Sequence, residues 1–203
     1  MVQIACPNCG DRIDLRDGVR MLTCPSCGTT LLYEDAVVRQ AGSAGVMHDA
    51  PLLFGIGDRV RCPAGIFDIL GQARFDYGRG WWDEFWALDG DGHPAWLSID
   101  EGDIAVQRRD RTARGPKSGA SLRLGDAFSH KSEDYRVTEV DEAKCIALRG
   151  EFDEPLSVGE TYRFVNAQSR GGRLLSGEFS GDDAMWFEGQ WVDPFDVTVE
   201  QGT

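Results

Sequence analysis

Four of the six cysteines carry the most specific chemistry in the sequence. Cys6-Pro7-Asn8-Cys9-Gly10 and Cys24-Pro25-Ser26-Cys27-Gly28 form two C-x2-C pairs separated by fourteen residues. Each reads as a tight knuckle, with backbone N–H groups aimed at the sulfurs and a glycine free to take the positive φ that closes the turn. Four thiolates gathered this way suit a tetrahedral Zn2+ site with no open position for substrate, so the ion is structural. Iron in a rubredoxin-like site would use the same four ligands. A dithiol redox motif usually needs only one such pair, in a βαβ setting that is missing here. Residues 1–35 are expected as a zinc ribbon, too small to fold without the ion.

The second candidate is Gly80-Trp81-Trp82-Asp83-Glu84-Phe85-Trp86, where two carboxylates sit among four aromatics. Adjacent acids in an aromatic cleft suggest general acid–base work. However, neighbours in a strand point to opposite faces, so Asp83 and Glu84 diverge. Trp82, Glu84 and Trp86 share one face, a candidate partner-binding surface, because aromatic rings and carboxylates both attract cations. His93 and His130 lie in turn-like segments and His48 among small residues; all three are expected at the surface. Cys62 and Cys145 read as small reduced hydrophobes without a role.

The elements around these groups are strands. The 25 glycines fall mainly between short apolar runs, and no amphipathic helix is convincing. The expected architecture is mainly β: the small ribbon, then two related antiparallel β-meander or barrel-like units. Residues 36–52 read as a linker, 53–107 as the first β-unit, 108–121 as a basic connector and 122–203 as the second. Arg12–Leu15 and Val19–Leu22 are predicted as short strands about Asp17-Gly18. Ile56-Gly57-Asp58 returns as Leu124-Gly125-Asp126, 68 residues on, and Phe67–Leu70 then falls on Tyr135–Thr138. Both units are also expected to end alike, Trp96-Leu97 before Ile104–Val106 and Trp186-Phe187 before Phe195–Val199.

A net charge of −13 argues against a general nucleic-acid or anionic-membrane binder. The exception is the connector, where Arg108, Arg109, Arg111, Arg114 and Lys117 meet one acid, Asp110. No stretch is long and apolar enough to span a bilayer, and the N-terminus has no basic-then-apolar signal. Reduced cysteines in a reducing cytoplasm are therefore the expectation.

With these pieces located, the chain resembles a bacterial family known as a domain of unknown function, DUF4178, preceded by a zinc ribbon. The resemblance rests on Gly57-Asp58, the Gly80–Trp86 heptad, Trp96-Leu97-Ser98, Gly125-Asp126, Val137-Thr138-Glu139, Gly150-Glu151 and Trp186-Phe187-Glu188-Gly189. It covers about 150 residues from Leu53 onward. The chain departs from it at Phe152-Asp153-Glu154-Pro155, where a shorter segment is expected, and at Asn166, where an acid is typical. The resemblance supplies no catalytic residues. It implies an accessory role, through members encoded near membrane-stress and polyamine-synthase-like proteins. The expected function is a non-enzymatic adaptor that binds another protein. The alternatives are an enzyme or small-molecule binder with its site in the Trp-rich strands, and nucleic-acid binding through the ribbon and connector.

Overall fold

The computed structural model describes residues 2–112, 121–180 and 183–202. Among them every regular element is a strand except a short 3₁₀ turn at Pro194–Asp196. In the cysteine module β1 (Val2–Ala5) pairs with β2 (Arg12–Leu15), and β3 (Met21–Thr23) with β4 (Thr30–Glu34). The strands predicted on either side of Asp17-Gly18 therefore exist but do not pair with each other. Each knuckle closes its own hairpin instead. Gly10 N–H donates to Cys6 O and Cys6 N–H to Asp11 O; Gly28 N–H donates to Cys24 O and Cys24 N–H to Thr29 O.

Residues 36–52 are more ordered than a linker. β5 (Val37–Gln40) extends the sheet from β4. Ala44 is buried, and its carbonyl accepts from Leu148 N–H.

Two meanders follow. The first is β6 (Arg59–Cys62), β7 (Gly65–Asp76), β8 (Trp81–Asp89), β9 (Pro94–Asp100) and β10 (Asp103–Arg109). The second is β11 (Ala127–His130), β12 (Glu133–Phe152), β13 (Thr161–Ser169), β14 (Arg173–Ser180) and β15 (Asp183–Val192). A last strand, β16 (Thr198–Glu200), returns to β6. The exposed edges of the meanders pair with each other, β10 with β15 and β7 with β12. The ring β7-β8-β9-β10-β15-β14-β13-β12 is thereby closed. The two expected units are one eight-stranded antiparallel barrel, and closure removes the edges each would otherwise expose.

The 68-residue repeat is present down to individual hydrogen bonds. Gly57 N–H donates to Ile69 O at 2.9 Å and Ile69 N–H to Asp58 O at 2.9 Å; Gly125 N–H donates to Val137 O at 2.9 Å and Val137 N–H to Asp126 O at 2.8 Å. Asp58 and Asp126 each cap their turn, accepting from Gly55 N–H at 2.8 Å and Arg123 N–H at 2.9 Å. Register shifts also recur at the same offset, between Ile69 and Gly71 and between Val137 and Glu139. The similarity expected at the ends fails: Trp96 lies on β9, whereas Trp186 lies on β15, the counterpart of β10.

These shifts are β-bulges, and a bulge turns the following side chains to the other face. Phe67 and Ile69 join a core with Phe85, Leu97 and Val106, whereas Ala73 and Phe75, of the same parity, face the barrel interior. In the second meander Tyr135 and Val137 pack with Val165 and Leu175, whereas Ala143 and Cys145 face inward. Each meander thus keeps its own apolar core outside the ring and lends its other face to a shared interior.

The β7–β12 seam depends on two glycines opposite each other, Gly71 and Gly150. A Cβ on Gly71 would come within 2.1 Å of Glu151 O, and one on Gly150 within 2.1 Å of Leu70 O. Gly150 also has φ +78°. Gly150→Ala is therefore expected to lower stability by about 3 kcal/mol. Denaturant unfolding measures this; an unchanged midpoint would show that the seam is not the tight contact described.

Candidate functional site

The barrel encloses a cavity of about 310 Å³ whose wall draws on all eight ring strands. Its acidic lining is Glu84, Asp100, Glu101, Asp103, Glu139, Glu154 and Glu178, against one cation, Arg79. Alternation aims these groups inward: Trp96, Ser98 and Asp100 on β9 face the cavity while Ala95, Leu97 and Ile99 face the outer core. On β14 Leu174, Ser176 and Glu178 do the same opposite Leu175 and Phe179. Arg79, Glu101, Asp103 and Trp191 are exposed and form the rim.

One wall is aromatic. Trp82 stacks on Phe75 at 5.3 Å, meets Phe164 edge-on at 5.1 Å and lies 5.7 Å from Tyr77. Tyr162 packs edge-on against Phe75. The Trp82 indole Nε1–H donates to Glu84 Oε1 at 3.0 Å. A polar chain crosses the interior: Gln107 Nε2 donates to Ser176 Oγ at 2.6 Å, Ser176 Oγ to Asn166 Oδ1 at 2.6 Å, and Asn166 Nδ2 to Glu139 Oε2 at 2.8 Å.

The acids form two electrostatic groups. Burial pushes Glu84 and Glu154 up to about 7, the latter helped by Asp153 and Glu84. Burial raises Glu178 as well, and the charges of Glu84 and Glu154 add to the rise. Nearer the rim, burial raises Asp100, with Glu101, Glu139 and Asp103 acting in the same direction. Arg109, 3.7 Å from Glu154, is the partial counterweight at the deep end. Deep carboxyls in a low-dielectric space hold protons until a cation joins them.

Trp82, Glu84 and Trp86 do share one face, but it is turned inward. Trp82 and Glu84 line the cavity, and Trp86 is buried in the core that continues from it. Asp83 points the opposite way, as alternation requires, and serves the fold. It is fully buried, accepting from Arg74 Nε and Nη2 at 3.0 Å each and from Gln72 Nε2 at 2.8 Å. The Arg74 guanidinium also lies over the Trp81 ring and donates to His48 O.

His48 and His93 are exposed. His130 is not: it is buried, with Nε2 at 2.7 Å from Asp110 Oδ2. The turn expectation missed the tertiary partner that covers it. Cys145 is buried with its thiol pushed up to about 12, which keeps it unreactive. Cys62 is half-buried at the end of β6. Of the basic connector, Arg108 pairs with Asp89 at 2.8 Å and Arg109 with Glu154; Arg114 and Lys117 lie outside the described residues.

The four knuckle cysteines converge with all Sγ atoms within 4.8 Å of one another and could hold a metal ion. Cys6 and Cys27 Sγ are 3.7 Å apart, Cys9 and Cys24 Sγ 3.8 Å. A tetrahedron with metal–sulfur bonds of about 2.3 Å has edges of about 3.8 Å, so the donor set fits. Asn8 Nδ2 donates to Cys27 Sγ at 3.6 Å and to the Thr29 hydroxyl at 2.9 Å, bracing the cluster. Asp110, His130 and Glu188 also approach each other. Lys131 Nζ already bridges Asp110 at 2.8 Å and Glu188 at 2.7 Å, which makes that group an ion-pair cluster. Among the described residues no helix is long and apolar enough to cross a membrane.

Sequence reasoning found Glu84 and missed Glu154, Glu178, Asp100 and the Tyr162–Phe164 wall. The signal was the i, i+2 placing of polar residues opposite apolar ones, as in Ser98/Asp100 and Ser176/Glu178. Alternation marks such a face as wet without saying whether bulk solvent or a cavity lies in front of it.

The fold and site define a class: a closed antiparallel barrel with an acidic, aromatic interior, carrying a metal-ready cysteine module. The family model described as "Domain of unknown function (DUF4178)" matches residues 55–194, and the chain belongs to that family. Comparison with curated proteins and with solved structures finds no match.

Two measurements test this geometry. Asp83→Ala leaves the Arg74 guanidinium buried without its partner and should destabilise the barrel by about 3–5 kcal/mol. Replacing both, Arg74→Met with Asp83→Leu, should recover most of that loss. The pH dependence has a definite sign. Glu84 and Glu154 ionise near 4.5 when unfolded and near 7 in the barrel. The unfolded chain therefore loses those protons first, and stability falls as pH rises through that window. Glu84→Gln with Glu154→Gln should flatten the slope between about pH 5 and 7; an unaltered slope would place the effect elsewhere.

Proposed function

We propose that the barrel binds a small organic ammonium ion, without turning it over. The observation that carries this reading is the union of Glu84, Glu154 and Glu178 with the Trp82–Phe75–Phe164 wall in one cavity. An ammonium group gains from a carboxylate and from a ring face together, most strongly where water is excluded. Anions are disfavoured, because acids outnumber cations along the lining. A neutral ligand would leave the deep carboxyls protonated and give no use to their grouping. The sequence resemblance to an accessory family suits such a binding role.

For the cysteine module we propose Zn2+, bound structurally in a zinc ribbon. The two Sγ separations match a tetrahedral thiolate site, and the module has too little core to fold alone. Six reduced cysteines suit a reducing cytoplasm. Elemental analysis of purified protein should find one zinc per chain; iron in its place would give a coloured protein and overturn the assignment.

Calorimetric titration with a panel of primary, secondary and quaternary alkylammonium chlorides should show one site per chain. Ammonium binding draws protons off the deep glutamates, so affinity should fall as pH drops from about 8 to about 5. Glu84→Gln and Glu178→Gln should each weaken binding at least ten-fold, about 1.4 kcal/mol. Absence of heat and of any tryptophan fluorescence change at millimolar amine would sink the reading.

A further inference from the structure

The cavity and the cysteine module share a strap. β12 runs beyond the barrel, and its last residues pair with the module: Glu151 opposite Leu22 and Phe152 opposite Met21. Arg20 N–H donates to Phe152 O at 2.9 Å, and Arg16 pairs with Glu151 at 3.1 Å. Leu156 N–H donates to Met21 Sδ at 3.3 Å. Between these anchors lies Glu154, which with Leu156 faces the cavity. Phe152 is fully buried and stacks on Trp96, another cavity residue, at 6.1 Å and 20°.

The apolar side chains of the module complete the arrangement. Ile4, Ile13, Leu15, Met21, Leu22 and Leu31 belong to the same core as Trp86, Trp96, Phe152 and Leu156. Met21 and Leu22 lie between the two knuckles in sequence, three and two residues before Cys24. Their position depends on the hairpin that the second knuckle closes.

We infer that the cysteine module holds from behind the strap that lines one side of the cavity, and that metal occupancy sets the cavity's affinity for its cation. The module positions Glu154 through residues 151–156. Losing the metal frees the second knuckle, the β3–β12 pairing opens, and Glu154 and the Phe152–Trp96 stack leave their places. Met21, Leu22 and Phe152 are positioning residues here, since none of them lines the cavity. The inference rests on the ammonium reading for its ligand, and on the strap contacts alone for its coupling.

Hydrogen exchange on the full chain tests the coupling without any ligand. Removing the metal with a chelator should speed exchange of the 151–156 amides at least ten-fold, while β8 and β13 amides keep their protection. Unchanged protection at 151–156, or equal loss in every ring strand, would overturn the inference. Met21→Ala leaves all four thiols in place and should reproduce the faster exchange in the metal-loaded chain. Titration with n-butylammonium chloride forms the second arm: affinity should fall at least ten-fold on metal removal and in Met21→Ala. Equal affinity with and without metal would refute the control of binding. If n-butylammonium and the rest of the amine panel bind neither form, the ammonium reading fails, and with it the control of affinity. The exchange arm then still decides whether the module holds the strap.

Discussion

Two bulges, at Ile69–Gly71 and Val137–Glu139, are the constraint on which the arrangement depends. A strand of constant parity could serve only one of the two apolar spaces next to it. By shifting phase at these bulges, β7 and β12 each close a private core with their first half and furnish the common interior with the residues that follow. The shift also falls where β7 exchanges its neighbour β6 for β12. Barrel closure, the two outer cores and the inward aim of Phe75 and Glu139 all follow from these two bulges; β12 carries a further one, between Cys145 and Ala147, where it pairs with β7.

Much of this was legible beforehand. The Gly57-Asp58 and Gly125-Asp126 turns announced the repeat because a positive-φ glycine before a capping aspartate constrains the local backbone. The cysteine spacing announced its cluster for the same reason: both are short-range patterns that leave the chain little choice. Alternation in the Gly80–Trp86 heptad also separated Asp83 from Glu84 correctly.

The rest depends on long-range contact. No local pattern says that β10 will meet β15, so the sequence leaves open whether the two units form one domain and whether the Trp82–Glu84 face is exposed or buried. His130 looked like a turn residue because Asp110, its partner, lies twenty positions away. Nothing in the local sequence singles out Glu154 or Glu178. Their chemistry exists only once eight strands surround them, when the loss of water and their mutual repulsion raise their proton affinity.

The ring joins like to like: first long strand with first long strand, last with last. A single meander could close on a second copy of itself in the same way, as an isologous pair. In such a pair every inward residue would occur twice. Covalent duplication lifts that restriction. By strand register Glu84 occupies the place that Phe164 holds in the other half, and Ser98 the place of Glu178. The halves have thus diverged in chemistry while keeping their geometry. A lining that has lost its two-fold symmetry can give a guest one preferred orientation, where a symmetric lining would accept it equally either way round.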